Sequence, residues 1–223
     1  MAGGTTGSTG WRRGDCPDRR GLSDGDLVRA IIGLLGALLP ASAWAHSPIK
    51  GLGNLANGIL HPLFVPAHLL LVLALGLLLG QQGVSRHLVA VWAYLFGLAM
   101  GLLLAWHATV LVDAATQEMT VLCLAVTAAL LVVVARPLPS WILLPLGAGA
   151  GILLGLDSLQ AELEGRARAV ALFGSGVGLY LLLLYPMALA ERFQARHWQR
   201  IGIRVIASWI AASALLVLAL LLA

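Results

Sequence analysis

Charge is scarce in this sequence: Asp, Glu, Lys and Arg together make up 11% of its 223 residues, against roughly 25% in an ordinary soluble domain. A chain this poor in charge cannot coat a water-facing surface, so lipid must be the solvent for most of it. Lysine is nearly missing, with Lys50 the sole one. No phosphate loop of the form G-x-x-x-x-G-K-[ST] can be read, which excludes a chain that hydrolyses ATP by that motif. The arginines are scattered near segment ends and form no stripe, so the net charge of +4 carries no sign of nucleic acid. In a membrane protein such arginines report topology. Cysteines number two, Cys16 and Cys123, in contexts so different that a disulfide is not expected. Cys123 lies inside an apolar run, the usual setting of a small buried hydrophobe.

Residues 1–26 have almost no apolar side chains and cannot bury enough surface to offset chain entropy, so disorder is the default there. Arg29 then precedes a short apolar stretch from Ala30 to Leu39, followed by Pro40 and small residues at Ala43 and Ala45. A basic flank, a short apolar core and small residues make a signal-peptide layout, and the core is short of the ~20 residues that spanning takes. Residues 1–45 are therefore expected to be a disordered n-region and cleavable signal peptide. The favoured cut follows Ala45 and leaves His46 as the first mature residue; an uncleaved first helix is the alternative. Arg19-Arg20 lacks the flanking pattern of a twin-arginine export signal.

What is abundant is apolar sequence: 60% of the chain, with mean hydropathy +0.92. Apolar runs occupy 59–80, 87–112, 118–135, 141–157, 168–190 and 201–222, each near the length that crosses ~30 Å of hydrocarbon. The breaks are short, so neighbouring helices run antiparallel. The expected fold is all-α: residues 46–223 form a polytopic membrane bundle of about six transmembrane helices after a cleaved signal peptide. With His46 outside, loops 81–86, 136–140 and 191–200 face the cytoplasm. These loops and their margins hold Arg86, Arg136, Arg192, Arg196, Arg200 and Arg204. The outside segments hold Lys50, Arg166 and Arg168 with Asp113, Glu118, Asp157, Glu162 and Glu164. The positive-inside rule and the signal peptide give the same orientation. Glycines recur at four-residue spacing (Gly76 and Gly80; Gly97 and Gly101; Gly147, Gly151 and Gly155; Gly174 and Gly178), the spacing of close helix packing in lipid. The run from Gly147 to Gly155 is expected at the centre of the bundle.

Polar side chains inside hydrocarbon are costly and need a reason. His61 and His68, seven apart, share a helix face, with His68 about 10 Å deeper. His107 lies near the outer end of the second span and Asp113 follows within about two turns. Met100, Met119 and Cys123 read first as packing. Imidazole suits Ni, Cu and Zn, so His61, His68, His107, His46 and Asp113 are the candidate metal ligands of an outward-facing site. A membrane histidine hydrogen-bonded to a neighbouring helix is the plainer reading. Pro62 and Pro66 loosen the backbone beside His61 and are expected to free carbonyls there, a break tolerated only against protein or a polar cavity.

The stretch from Gly58 to Leu70, with His61-Pro62 and His68, resembles the opening of HupE/UreJ proteins, whose first helix carries His-Pro-x-x-Gly-x-Asp-His. His61, Pro62 and His68 match; Val65 stands at the Gly position and Ala67 at the Asp position. The family's later His-rich patch corresponds to Gly147–Gln160, which has no histidine and Asp157 as its one ionisable residue. The resemblance implies a non-enzymatic, nickel- or cobalt-type permease or metal-delivery accessory of the bacterial inner (cytoplasmic) membrane, both mature termini outside. It would have no resident cofactor beyond a bound Ni, Co, Cu or Zn ion. The lipid bilayer and a membrane or metalloenzyme complex are the expected partners. The alternative is a non-transporting scaffold or assembly subunit that has lost metal binding. A serine-hydrolase reading of Phe173-Gly174-Ser175-Gly176 fails for want of a histidine base in the last three spans.

Overall fold

The computed structural model describes residues 1, 3, 52–107, 113–160 and 162–222. The signal peptide, its cut after Ala45, and His46 lie outside the described residues. The chain divides into two units, residues 1–44 and 45–223, and the described helices belong to the second. In order they are α1 (Asn54–Phe64), α2 (Pro66–Gln82), α3 (Leu88–His107), α4 (Ala114–Val134), α5 (Ser140–Asp157), α6 (Gly165–Arg192) and α7 (His197–Leu222). Helices α3 to α7 are each long and apolar enough to cross a membrane, and α1 with α2 makes a sixth span if the bent pair is counted as one.

Local chemistry sets the ends. Asp113 caps α4 by accepting from the Thr116 N–H at 2.9 Å. Ala135 closes that helix in the left-handed region, and Pro137 follows. Gly83, at φ 87°, ends α2. The first span differs from a straight helix. Pro66 has no N–H to give back to α1, and the residue before a proline is pushed out of the α region, so Val65 is extended. The axis turns by 75° across that residue. The expected free carbonyl at His61 is absent, because its oxygen accepts from the Val65 N–H.

Large apolar side chains on α3, α6 and α7 stand exposed, among them Trp92, Phe96, Phe173, Tyr185, Trp209 and Leu216. In water such a surface would aggregate; around a transmembrane bundle it is the lipid contact. Cys123 also belongs to this outer surface and is not the buried hydrophobe its run suggests, because it lies on the face of α4 away from the core. The core gathers around α2, which is apolar on all sides and has most of its 17 residues buried.

Glycine seams join the spans. Along α1–α2 and α6 the contacts advance in the same direction, from Gly58 on Ala171 to Gly80 on Met187, so these segments pack parallel. Helices α3 and α5 do likewise, from Gly97 on Ala148 to Gly101 on Ile152. At Gly151 the backbone of Tyr94 comes so close that a Cβ would overlap its carbonyl oxygen. The run from Gly147 to Gly155 is thus the tightest face of the α3–α5 pair, while the centre of the bundle falls to α2. Tyr94, fully buried on α3, donates its hydroxyl to the Leu179 carbonyl of α6 at 3.4 Å.

Candidate functional site

The bend at Val65 decides the site. On a straight helix, seven residues would separate His61 and His68 by about 10 Å along the axis. Because α1 turns away at its last turn, the two rings meet edge to face, their centroids 5.7 Å apart at an interplanar angle of 77°. His68 has no exposed surface and His61 retains 6%. The two prolines that flank the break therefore convert a spacing along one face into a side-by-side pair.

A carboxylate completes the cluster from elsewhere. Asp157, the last residue of α5, lies 2.6 Å from His68 Nε2 through Oδ2. A carboxylate oxygen accepts, so Nε2–H donates, and the short contact is of the charge-assisted kind. With the Nε2 proton held there, a neutral ring presents a lone pair at Nδ1. That nitrogen is buried, with no hydrogen-bond partner among the described residues. An acid at a helix C-terminus opposes the macrodipole. Here it is held by a side chain from the first turn of α2, the helix end where negative charge is favoured. The Asp157 side chain is 23% exposed while that of His68 is at 0%, so the carboxylate reaches the surface and the imidazole lies behind it.

The remaining sequence candidates sit apart from this cluster. His107 is the last residue of α3 and is exposed; Asp113 is exposed at the start of α4. Residues 108–112 between them lie outside the described residues. Accepting from Thr116 holds the Asp113 carboxyl below the usual carboxylate range. Among the described residues, no three His, Cys, Asp or Glu side chains are grouped closely enough to hold a metal ion. Met100 is 39% exposed toward the lipid side. His87 lies 3.4 Å from the Ser140 hydroxyl at the opposite end of the bundle. Ser175 is fully buried, and its Oγ has no partner among the described residues.

Asp157 is the residue that reading along the chain missed, since it lies 89 positions from His68. Two signals pointed to it: it is the one ionisable residue between Gly147 and Gln160, and it is an acid where a helix ends. No curated protein and no solved structure gives a match to this chain. The family model described as HupE / UreJ protein matches residues 34–218, and the chain belongs to that family.

Proposed function

We propose that this protein captures a nickel- or cobalt-type divalent ion at the broken first span, as a permease or a metal-delivery accessory. The observation that carries the reading is the pairing of His68 with Asp157 beside His61. A histidine whose one nitrogen is fixed by a carboxylate offers the other as an oriented, more basic ligand. Two imidazoles and a carboxylate are donors that suit first-row transition metals. Asp157 also takes the place of the carboxylate that Ala67 cannot supply in the first helix. His107 and Asp113 are exposed and act as an outer approach, with His46 a further donor if signal cleavage leaves it first. The ion enters past Asp157 and displaces the carboxylate or binds behind it at Nδ1. Nothing in this donor set calls for catalysis.

The test is a titration of purified protein in detergent with Ni, Co, Cu and Zn salts, alongside His61→Ala/His68→Ala. Stoichiometric binding that disappears in the double variant is the expected result. Absence of binding by folded wild-type protein overturns the reading. A second reading, an assembly subunit that has lost metal binding, is favoured by the lack of a three-ligand group among the described residues. That outcome of the titration would leave it standing.

A further inference from the structure

At the end of the bundle remote from His68 lies a pocket of about 390 Å³ lined by Arg86, Arg136, Arg200 and Arg204. These arginines come from three separate segments: the α2–α3 turn, the α4–α5 loop and the first two turns of α7. No carboxylate is among the lining residues. Among the described residues the salt bridge found is His68–Asp157, so none of the four guanidinium groups has a carboxylate within ion-pair distance. Like charges gathered without a counter-ion repel one another. A topological role explains how many arginines lie at this end; it does not explain their convergence on one cavity.

Two of the four are held in place. Gln82 donates to the Arg136 carbonyl at 2.8 Å and accepts from the Leu138 N–H at 3.0 Å, which fastens the α4–α5 loop onto α2. Arg204 donates through Nε to the Val133 carbonyl at 2.8 Å, leaving its terminal amino groups to donate into the pocket. The N-terminal turn of α7, with His197 and Arg200 on the lining, adds the positive end of a helix dipole. Ile201 and Pro137 supply an apolar wall. The pocket opens where α2 and α4 end and α7 begins, which in a membrane-spanning bundle is the hydrocarbon boundary.

We infer that this pocket binds a phosphate-bearing anion, and that its occupant is the head-group phosphate of an acidic phospholipid. Basic pockets between transmembrane helices take anionic head groups in this way. The apolar wall beside the guanidinium groups suits a glycerophosphate attached to acyl chains better than a free ion.

The test uses full-length protein, delipidated in a neutral maltoside detergent, with its thermal unfolding followed as phosphatidylglycerol, phosphatidylcholine or inorganic phosphate is added. Phosphatidylglycerol should raise the midpoint at mole fractions where phosphatidylcholine does not, and the gain should shrink with added salt. Arg136→Gln/Arg200→Gln should weaken the apparent affinity for phosphatidylglycerol about tenfold or more. Arg136→Lys/Arg200→Lys should retain part of it, and Arg166→Gln, at the other end, should leave it unchanged. Where the double glutamine variant does not fold, Arg200→Gln alone carries the comparison. Equal protection by phosphatidylcholine, or an unchanged response in the glutamine variants, would overturn the site. Equal protection by inorganic phosphate at the same concentration would overturn the lipid as its occupant.

Discussion

His68 has no exposed surface, and one of its two ring nitrogens, Nε2, is satisfied by a carboxylate that no local motif supplies. Replacing that carboxylate by an amide keeps the shape and removes the charge. Asp157→Asn is therefore expected to lower metal affinity about 10–100-fold, the usual cost of losing an orienting partner of a metal-binding histidine. Asp113→Asn, on an exposed cap away from the cluster, should lower it much less. Titrating both variants with the same metal decides the matter, and equal losses would sink the central role given to Asp157. Solution pH acts on the Asp113 cap in a defined direction. The folded-state value of Asp113 is depressed, so its capping contribution is complete above the ordinary carboxylate range. It is lost only as pH falls through that lowered value. Asp113 therefore remains a negative charge on the approach to the site throughout neutral and mildly acidic conditions.

At the scale of elements, the long apolar helices were legible because length and hydropathy alone define them: the segments at 118–135, 141–157, 168–190 and 201–222 fall on α4 to α7, and 87–112 falls on α3 as far as His107, with 108–112 outside the described residues. The glycine periods were equally legible as packing faces. Their partners were not, because four-residue spacing names a face of one helix and says nothing of which neighbour it meets. Pro62 and Pro66 marked a weak point, but the 75° turn at Val65 and the resulting meeting of His61 with His68 are tertiary outcomes. The α3–α5 seam makes a sharp prediction. Gly151 has no room for a methyl group, since the Tyr94 carbonyl and the Leu98 nitrogen already close on it. Two residues away on the same helix, Gly149 has nothing within 4 Å of where a Cβ would stand. Gly151→Ala should destabilise the bundle by about 1–3 kcal/mol, as overpacking does. Gly149→Ala should be neutral or stabilising by up to ~1 kcal/mol through helix propensity. Unfolding in mixed micelles would measure both, and equal effects at the two sites would contradict the seam.

Across the whole molecule the two ends differ in sign. Among the described residues, Asp113, Glu118, Asp157, Glu162 and Glu164 outnumber Arg166 and Arg168 at the end that holds the histidine pair. The other end gathers Arg86, Arg136, Arg200 and Arg204 around one pocket, with Arg192 and Arg196 on the adjoining turn and Glu191 as the one acid there among the described residues. If a divalent ion crosses the bundle as proposed, it meets its electrostatic barrier at the arginine-rich end. An acidic phosphate in the arginine pocket would lower that barrier by matching the charge. By the positive-inside rule the histidine end is the expected outer side. A reporter that is active only after export, fused after Leu222, should therefore be active, while the same reporter fused at Gln194 should be silent. A fluorescent protein that folds only in the cytoplasm should give the reverse pattern at both positions. If the fusions report the opposite orientation, the exposed side of Asp157 would face inward. Capture of an external ion at His61 and His68 would then be excluded even if the purified protein bound metal.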